Sequence, residues 1–350
     1  ANALQADGFD VVLVTGGTPV PGFPGEGIRH VELPPIAVSD GSFSGLVDSA
    51  GKPVDDAFKN LRTDMLIGAY HGAKPDIVII EAFPFGRRQV RFELLPLLDE
   101  IEDSEPRPLV MTSLRDILQE KTKPGRDEET VSLVKKHFDA VLVHGDPDFA
   151  RLEDTFPLAN EISQRIVYTG LVAPLPPPEP VEKFDIVVSA GGGAVGAALI
   201  RAALEAAPLL PGIKSWCLVT GPNMPQVDFD AISAEAPDNV SVFRFRKDFA
   251  SLLAGARLSV SQAGYNTVCD ILQAKCRSLL IPFAAGGETE QSARAERLAR
   301  LGLAQVLEEK NISGQSMADA IEAALALPEP GKVHLDLDGA AGTARALRRL

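Results

Sequence analysis

A glycine run at residues 189–196 (SAGGGAVG) stands between an apolar segment (FDIVVSA) and a segment with helical spacing. Glycines allow a backbone to approach a ligand closely, and the N–H groups and dipole of a helix that follows favour a bound phosphate. We therefore predict that Gly191, Gly192 and Gly193 bind a phosphate group. A tight turn with a purely structural role is the alternative.

The same glycines also fit the G-x-G-x-x-G pattern of NAD-binding proteins. That class of site uses an acidic residue at the end of the next strand to bind the ribose. Here the next predicted strand, at residues 215–220, ends in Thr220 and is followed by Gly-Pro. The sequence therefore argues against NAD and favours the phosphate of another ligand.

A second turn, within residues 261–270 (SQAGYNTVCD), joins another apolar strand to a helix. Small residues at this turn would present backbone N–H groups to a phosphate, and a carboxylate one or two turns along the helix can accept both hydroxyls of a ribose. The carboxylate at that place is Asp270. The alternative for Asp270 is an ordinary exposed helix residue, or an ion pair with Lys275 or Arg277.

Titratable side chains follow predicted strands in the first half of the chain. Glu81, His144 and Arg115 each lie at or just after the carboxyl end of a strand, where parallel α/β sheets bind their ligands. Glu81 and His144 are the candidate general bases, and their alternatives are an internal ion pair and a strand-end cap. The other histidines show neither pairing nor metal-ligand spacing and are treated as surface or capping groups: His30, His71, His137 and His334.

Residues 83–92 (FPFGRRQVRF) place arginines among aromatic side chains. Guanidinium groups bind phosphates and carboxylates in a fixed geometry. Arg87 and Arg88, together with Arg115, are therefore candidates for binding an anionic group of a substrate. Solvated helix residues are the alternative.

Two α/β domains are needed to position these residues. Apolar runs alternate with amphipathic stretches over residues 1–173, which predicts a parallel sheet covered on both faces. Residues 174–183 begin with PLPPPEP, which cannot continue a helix or a central strand, so we assign them to a stiff interdomain linker. The alternation restarts over residues 184–330 as a second doubly wound domain. Residues 331–350 end in a helix from residue 339, with Ala341, Ala344, Leu347 and Leu350 on one face. We expect this helix to cross back and pack on the first domain.

The chain opens on a segment (ANALQAD) that fits the end of a helix, with Gly8 as its C-cap and a strand at residues 9–15. A parallel α/β domain rarely opens with the tail of a helix. We therefore expect an N-terminal strand and loop to be missing before this helix.

The composition limits the classes of partner. The formal net charge is −14, so there is no broad basic surface for nucleic acid or an anionic membrane. No apolar run reaches the roughly 20 residues that span a bilayer, and no secretory signal is present. Three cysteines, an odd number, fit small buried residues in a reducing compartment. We expect a cytoplasmic protein with no nucleic-acid partner and no integral membrane segment.

The second half of the chain carries a specific resemblance. The order Ser-x-x-Gly-x-x-Thr-x-x-acid from Ser261, an apolar strand ending in Ile-Pro, and the pair Glu290 and Gln291 at a helix start resemble the donor site of the MurG-like glycosyltransferases of family 28. The match is clear over residues 184–327 and only architectural before them. It implies a GT-B fold, in which two doubly wound Rossmann-like domains face each other across a cleft. It also implies transfer of a sugar from a nucleotide diphosphate, UDP above all, with no cofactor and without an Asp-x-Asp metal motif.

The resemblance also implies residue roles. It assigns residues 191–193 and the turn at Gly264 to the diphosphate, Asp270 to the ribose, and Glu290 and Gln291 to the hydroxyls of the sugar. Arg246 falls in the turn that binds the base through its backbone (RFRKD), for which a solvated turn is the alternative. The other donor-site candidates lie on the second motif: Ser261, Tyr265, Asn266 and Thr267.

Two departures from the family pattern leave the sugar open. The family usually has Glu where this chain has Asp270, and it usually has Gln-Gln followed by an Asn, where this chain has Glu290, Gln291 and Arg294. The acceptor, a small molecule or a lipid-linked compound, is expected to bind the first domain.

The family also places a catalytic or acceptor-binding His in a glycine-rich turn after its first strand, and this sequence lacks that turn. We therefore expect the chain to bind donor but to transfer sugar poorly until the segment is restored. Two alternative functions stay open, a nucleotide-sugar 2-epimerase or hydrolase on the same fold and a non-catalytic nucleotide-sugar-binding subunit.

Overall fold

The computed structural model describes residues 1–19, 22–38, 45–119, 123–191, 196–331 and 334–350. The chain divides into two compact units. The first consists of Ala1–His144, Leu152–Gly170 and Gly339–Leu350, and the second of Gly145–Arg151 and Leu171–Asp338. The helix that ends the chain thus belongs to the first unit, and the proline-rich segment 174–183 belongs to the second.

Parallel strands form the framework of the first unit, as its apolar runs predict. Its described strands are β1 (Val12–Thr15), β2 (Arg29–Glu32), β3 (Ile36–Val38), β4 (Leu46–Asp48), β5 (Ile77–Glu81), β6 (Leu109–Arg115), β7 (Ala140–His144) and β8 (Ile166–Tyr168). β5 to β8 form one parallel sheet in chain order, and β1 and β2 form a separate parallel pair. β3 and β4 form an antiparallel pair that the sequence analysis does not predict.

Helices cover both faces of the four-stranded sheet. The helices of this unit are α1 (Asn2–Ala6), α2 (Asp56–Ala73), α3 (Arg91–Glu102), α4 (Arg126–His137) and the last helix of the chain, α11 (Gly339–Leu347). Alternate residues of one strand enter different cores, since Val141 and Val143 pack with residues of α3 and α4 while Leu142 packs with Leu347. This period of two is the pattern expected of a strand buried on both sides.

Both ends of the chain meet in this unit. The C-cap of α1 is Asp7, and Gly8, predicted as the cap, follows it with φ +88°. Ala344, Ala346 and Leu347 are the buried residues of α11 with side chains, and Leu350, predicted on the packed face, is exposed beyond the end of the helix. α11 also passes very close to the end of β8, since a Cβ added to Gly342 would lie 1.9 Å from the Thr169 carbonyl oxygen.

The second unit contains a fully parallel sheet of the predicted doubly wound kind. Its strands are β9 (Ile186–Ser189), β10 (Trp216–Val219), β11 (Val240–Phe243), β12 (Leu258–Ser261), β13 (Ser278–Leu280) and β14 (Ala304–Val306). Its helices are α5 (Ala197–Ala206), α6 (Gln226–Glu235), α7 (Phe249–Gly255), α8 (Tyr265–Ala274), α9 (Glu290–Arg300) and α10 (Gly314–Leu325). The strand order is β11-β10-β9-β12-β13-β14. It reverses between β9 and β12, which is the order of dinucleotide-binding sheets.

Apolar strands and small helix residues make the core of the second unit. Ile186, Val188 and Trp216 pack on one face of the sheet with α5 and α10. Cys217, Cys269 and Cys276 are buried thiols, as the sequence predicts, and burial raises the pKa of Cys217 and of Cys276 to about 12. Among the described residues, no helix is both long enough and apolar enough to cross a membrane.

Candidate functional site

The carboxyl ends of β9, β12 and β13 bring the two predicted phosphate-binding turns together. β9 and β12 are neighbours, with Ser189 beside Ser261, and β13 follows, with Leu280 beside Ser261. The sheet reverses its order between β9 and β12, and that is the point at which open parallel sheets bind ligands. The geometry thus places Gly191, the Gly264 turn and the start of α9 along one edge of the second unit.

Gly191 adopts a backbone conformation that favours glycine. Its φ is +72°, and a Cβ added there would lie 3.3 Å from Oε1 of Gln262, so the two turns approach closely. Gly196, which precedes α5, is equally restricted, because an added Cβ would lie 2.1 Å from the Cβ of Ala190. Gly192 and Gly193 lie outside the described residues.

Gly264 directly precedes α8, and the first turn of that helix can receive an anion. No side chain forms a capping hydrogen bond at this end, and the first turn contains no acidic residue. N–H groups of a first helical turn without a capping side chain attract an anion together with the helix dipole. Asn266 is exposed and Thr267 is half-buried on the same turn. The predicted phosphate site at this turn therefore has suitable donors.

Asp270 lies on α8 and is half-buried. No hydrogen bond or ion pair to it is found in the described part of the chain. The predicted alternative partner Arg277 instead contacts Glu329 and the Leu327 carbonyl. Burial raises the pKa of Asp270 to about 6. A half-buried carboxylate with an elevated pKa is a common property of a ligand-binding group.

Side chains from the start of α9 hold the Gly264 turn. Oε1 of Gln291 accepts hydrogen bonds from the backbone N–H groups of Ala263 (3.1 Å) and Phe283 (3.2 Å). Arg294 is fully buried, and its guanidinium donates to the Ala263 carbonyl (2.9 Å) and to Oε1 of Glu290 (2.7 Å). The acceptor oxygen of Gln291, predicted to contact the sugar, is thus occupied by backbone groups.

Two further predicted donor residues are buried. The hydroxyl of Tyr265 accepts a hydrogen bond from the backbone N–H of Val172 (2.8 Å), and its ring lies 5.7 Å from the guanidinium carbon of Arg294. Ser261 is fully buried, and its hydroxyl has no hydrogen-bond partner among the described residues. Both side chains therefore lie beneath the turn rather than on its surface.

Arg246, predicted near the base of the nucleotide, forms ion pairs within its own unit. Its guanidinium contacts both oxygens of Asp248 (2.9 and 2.8 Å) and one oxygen of Glu182 (2.9 Å), and it lies over the Phe243 ring. The pKa of Asp248 is lowered by this hydrogen bonding. Arg246 therefore fixes the turn after β11, while the side chain of Phe245 in the same turn is exposed.

In the first unit, the predicted residues lie at one strand edge. Glu81 ends β5 beside Ser113 of β6, and Arg115 ends β6 beside His144 of β7. Glu81 is exposed, and one of its oxygens lies 3.1 Å from Nη2 of Arg87. Glu81 therefore combines exposure with a neighbouring cation.

His144 is held between two hydroxyls. Its Nε2 lies 2.8 Å from Oγ of Ser113, and its Nδ1 lies 2.8 Å from Oγ1 of Thr169. Burial lowers the pKa of His144 to about 4, although the nearby Glu81 opposes this shift. A neutral imidazole with both nitrogens occupied matches the strand-end cap that the sequence analysis gave as the alternative for His144.

The predicted arginines differ in exposure. Arg87 and Arg115 are exposed, whereas Arg88 is half-buried and forms an ion pair with Glu129 and a 3.5 Å hydrogen bond to Oγ1 of Thr130. Burial, followed by the charges of Arg126 and Arg91, lowers the pKa of Arg88. The exposed pair is thus better placed than Arg88 to meet an anionic substrate.

His30, Thr15 and Glu32 form a polar cluster on β1 and β2 that the sequence did not predict. Nε2 of His30 lies 2.8 Å from Oγ1 of Thr15, and its Nδ1 lies 3.6 Å from Glu32. Thr15 pairs with Glu32 in the parallel register of β1 and β2. The alternation of polar and apolar residues along these two strands was the signal that could have indicated the contact between His30 and Thr15.

A buried ion pair in the first unit was also missed. Arg62 and Glu93 share two hydrogen bonds of 2.8 Å, and Arg62 also donates to the carbonyls of Gly16 and Pro34. Both residues lie in stretches with ordinary amphipathic spacing, which gives no sign of pairing. In the described residues, no group of three or more His, Cys, Asp or Glu side chains could hold a metal ion.

Solved structures with the same fold are glycosyltransferases. CalG4, the calicheamicin glycosyltransferase, is similar with a TM-score of 0.63 and 16% identity, over 99% of this chain and 91% of that one. MurG of Acinetobacter baumannii is similar with a TM-score of 0.61 and 16% identity, over 100% and 93%. Identities this low show the fold alone. The chain has the predicted GT-B fold, with two Rossmann-like α/β units.

The family of the second unit is defined by its sequence. Residues 186–330 match the profile of the glycosyltransferase family 28 C-terminal domain. This stretch contains both turns that are predicted to bind phosphate, Asp270 and the start of α9. Residues 186–330 therefore form a family 28 C-terminal domain, which confirms the predicted resemblance.

Curated relatives match over the same part of the chain. A UDP-N-acetylglucosamine–N-acetylmuramyl-(pentapeptide) pyrophosphoryl-undecaprenol N-acetylglucosamine transferase of an Exiguobacterium species is 34% identical over 143 residues, 40% of this chain and 39% of its own length. A relative with the same name from an Anaeromyxobacter species is 31% identical over 166 residues, 45% of this chain and 42% of its own. The chain thus spans about two fifths of the length of these relatives.

Proposed function

We propose that this protein transfers a sugar from a nucleotide diphosphate to an acceptor hydroxyl. One observation carries the proposal: Gly191 approaches Gln262 in the loop that leads into α8, and α8 carries the carboxylate of Asp270, within residues that match a family 28 C-terminal domain. The two turns offer N–H groups to a diphosphate, and Asp270 offers a carboxylate to a ribose. This combination fits a nucleotide diphosphate better than a lone phosphate.

The donor in this proposal is a UDP-sugar. The support comes from the curated relatives, whose names specify UDP-N-acetylglucosamine. Asp270, Gly191 and the Gly264 turn would bind the nucleotide part, and Glu290 and Gln291 at the start of α9 would face the sugar. Glu290 and Arg294 differ from the residues that the family usually has at these positions, so the identity of the sugar is the part of the donor that the sequence specifies least.

The proposed reaction is a direct displacement. The acceptor oxygen forms a bond to the anomeric carbon while the bond from that carbon to the diphosphate oxygen breaks, and the electron pair leaves with the diphosphate. N–H groups of the two turns would stabilise that charge, since preorganised donors aimed at developing charge are a major source of rate enhancement. No cofactor is required, and the proposal includes no metal ion because these donors can meet the charge.

Glu81 is the side chain that we propose to take the proton of the acceptor hydroxyl. It is an exposed carboxylate at a strand end, whereas His144 has both ring nitrogens occupied and a pKa near 4. A base whose hydrogen-bonding positions are filled cannot receive a proton without first breaking a contact. Arg87 and Arg115 would bind an anionic, lipid-linked acceptor of the kind named for the curated relatives, in the cytoplasm.

The test measures binding and products together. Purified protein is titrated calorimetrically with UDP and with UDP-N-acetylglucosamine, and the reaction with candidate acceptors is followed by mass spectrometry. A glycosylated acceptor and stoichiometric UDP support the proposal. Free sugar or an epimerised donor would instead identify a hydrolase or an epimerase, and donor binding without any turnover would identify a binding subunit. Absence of UDP binding overturns the proposal.

A further inference from the structure

Ala263 has both of its backbone polar groups held by side chains of one helix. Its N–H donates to Oε1 of Gln291 (3.1 Å), and its carbonyl accepts from Nη1 of Arg294 (2.9 Å). Ala263 immediately precedes Gly264, the residue from which α8 begins. Two side chains of α9 therefore hold the backbone of Ala263 on both sides of its Cα. They fix the position of the turn that would bind the diphosphate.

Arg294, which donates to the Ala263 carbonyl, is completely buried. Its side chain is 0% exposed, and its charge is met by Oε1 of Glu290 at 2.7 Å. A buried guanidinium is costly unless its donors and its charge are satisfied, so the contacts of Arg294 account for its presence beneath the turn. A side chain so buried does not reach a bound sugar directly.

Gln291 links the same turn to the next strand. The oxygen that accepts from Ala263 also accepts from the N–H of Phe283 (3.2 Å), which follows β13. One amide oxygen thus ties the loops after β12 and β13 together. Because that oxygen is used twice by the backbone, Gln291 acts first on the shape of the site.

We propose that Gln291, through its Oε1, and Arg294 are positioning residues that hold the diphosphate-binding turn. This inference rests on the proposed function, since it takes the Gly264 turn as the place of the diphosphate. Glu290, which the resemblance assigns to the sugar, is held by Arg294 through Oε1. The ion pair of Arg294 and Glu290 therefore couples the part of the site that binds the sugar to the part that binds the diphosphate.

The experiment separates a positioning role from a ligand role by the choice of ligand. Arg294→Met keeps the length of the side chain and removes its donors, and Gln291→Met removes the acceptor oxygen at a half-buried residue that is less critical for folding. Gln291→Glu keeps an acceptor oxygen and serves as the conservative variant. Arg300→Met, an exposed residue on the same helix, is the matched control. Each variant is titrated with uridine, UDP and UDP-N-acetylglucosamine.

A positioning role predicts that Gln291→Met weakens UDP and UDP-N-acetylglucosamine by the same factor, about tenfold or more. Arg294→Met should weaken UDP by a similar factor and the UDP-sugar at least as much, because Glu290 also loses its partner. Uridine affinity is expected to stay unchanged, Gln291→Glu to retain most UDP affinity, and Arg300→Met to resemble the wild type. A merely structural defect would weaken uridine as well. If Arg294→Met does not fold, Gln291→Met gives the result.

Two outcomes overturn the inference. If UDP affinity is unchanged while UDP-N-acetylglucosamine affinity falls, these side chains are sugar ligands. If uridine, UDP and the UDP-sugar all weaken together, the side chains stabilise the domain in general. A wild-type protein that binds none of the three ligands would instead refute the proposed function itself, and that failure is distinct because it appears before any substitution is made.

Discussion

Asp270 is a half-buried carboxylate beside the Gly264 turn. We expect Asp270→Ala to weaken UDP binding by about tenfold to a hundredfold, because charge-assisted hydrogen bonds to the ribose hydroxyls would be lost. Calorimetric titration with UDP measures the change, and 2′,3′-dideoxy-UDP is the control ligand. The variant is expected not to distinguish the two ligands. Equal affinities for all four combinations would remove Asp270 from the site.

The elevated pKa of Asp270 also predicts a pH dependence of stability. Burial raises this pKa from 3.8 to about 6, so folding disfavours the ionised carboxylate. The contribution of Asp270 therefore lowers the free energy of unfolding above pH 6, and this loss disappears as the pH falls toward the unfolded value. We expect Asp270→Asn to be more stable than wild type at pH 7.5 and to lose that advantage near pH 4.5.

Urea unfolding of both proteins at several pH values measures this difference. The comparison between variant and wild type cancels the titration of the other carboxylates. A difference in free energy of unfolding that does not vary with pH would contradict the shift in pKa.

Glu81 and His144 can be separated by substitution. We expect Glu81→Gln to lower kcat by about a hundredfold to ten-thousandfold, the range for removal of a general base, with UDP affinity unchanged. His144→Asn should act mainly through stability, because His144 is held by Ser113 and Thr169. Steady-state kinetics and thermal unfolding of both variants test the assignment. The reverse pattern would make His144 the base.

At the scale of elements, the close approach of α11 to the end of β8 predicts that adding one methyl group at Gly342 destabilises the protein. An added Cβ at Gly342 would lie 1.9 Å from a backbone oxygen, so α11 must shift to accept alanine. We expect Gly342→Ala to lower the free energy of unfolding by about 1 to 3 kcal/mol, as overpacking does.

The matched control is Gly68→Ala in α2, where an added Cβ meets nothing within 4 Å. There alanine should raise stability by about 0.5 to 1 kcal/mol, because glycine is unfavourable inside a helix. Both effects are measured by urea unfolding. Opposite signs are expected, and a stabilising Gly342→Ala would show that α11 can move freely.

The elements themselves were largely predictable. The runs DIVIIEAF and FDIVVSAGGG predict β5 and β9, since apolar runs that end in polar or glycine residues are typical of buried parallel strands. The β3 and β4 pair was not predicted, because its strands have three residues each and too little pattern to detect.

The site was predictable in place but not in contacts. Gly191, Gly264 and Asp270 follow strands whose carboxyl ends share one edge, so strand prediction alone brings them together. The role of Gln291 depends on the two backbone N–H groups that donate to its oxygen. The role of His144 depends on the two hydroxyls that contact its ring nitrogens. Such partners come from segments distant in sequence, and no local pattern specifies them.

At the scale of the whole molecule, each unit keeps its charged groups in local pairs. Arg62 pairs with Glu93 in the first unit, and Arg246 pairs with Asp248 and Glu182 in the second. Breaking the buried pair of Arg62 and Glu93 is expected to cost about 3 to 5 kcal/mol. Glu182 and Asp248 are 52% and 42% exposed, so the Arg246 anchor of the second unit contributes less. The net charge of −14 is therefore carried mainly by residues outside these anchors.

The buried ion pair of Arg294 and Glu290 also restricts how this sequence can change. Family 28 proteins usually carry Asn and Gln at these two positions, and a single substitution, Arg294→Asn, would leave the Ala263 carbonyl without its donor and Glu290 without its cation. Glu290→Gln alone would leave a buried guanidinium without a counter-charge. The two positions are thus epistatic: we expect each single variant to be less stable than the double variant, with a coupling of about 0.5 to 3 kcal/mol in a double-mutant cycle. An additive cycle would contradict this expectation. If the coupling is found, exchanging both residues together would preserve the fold around the Gly264 turn, whereas exchanging either one alone would weaken it.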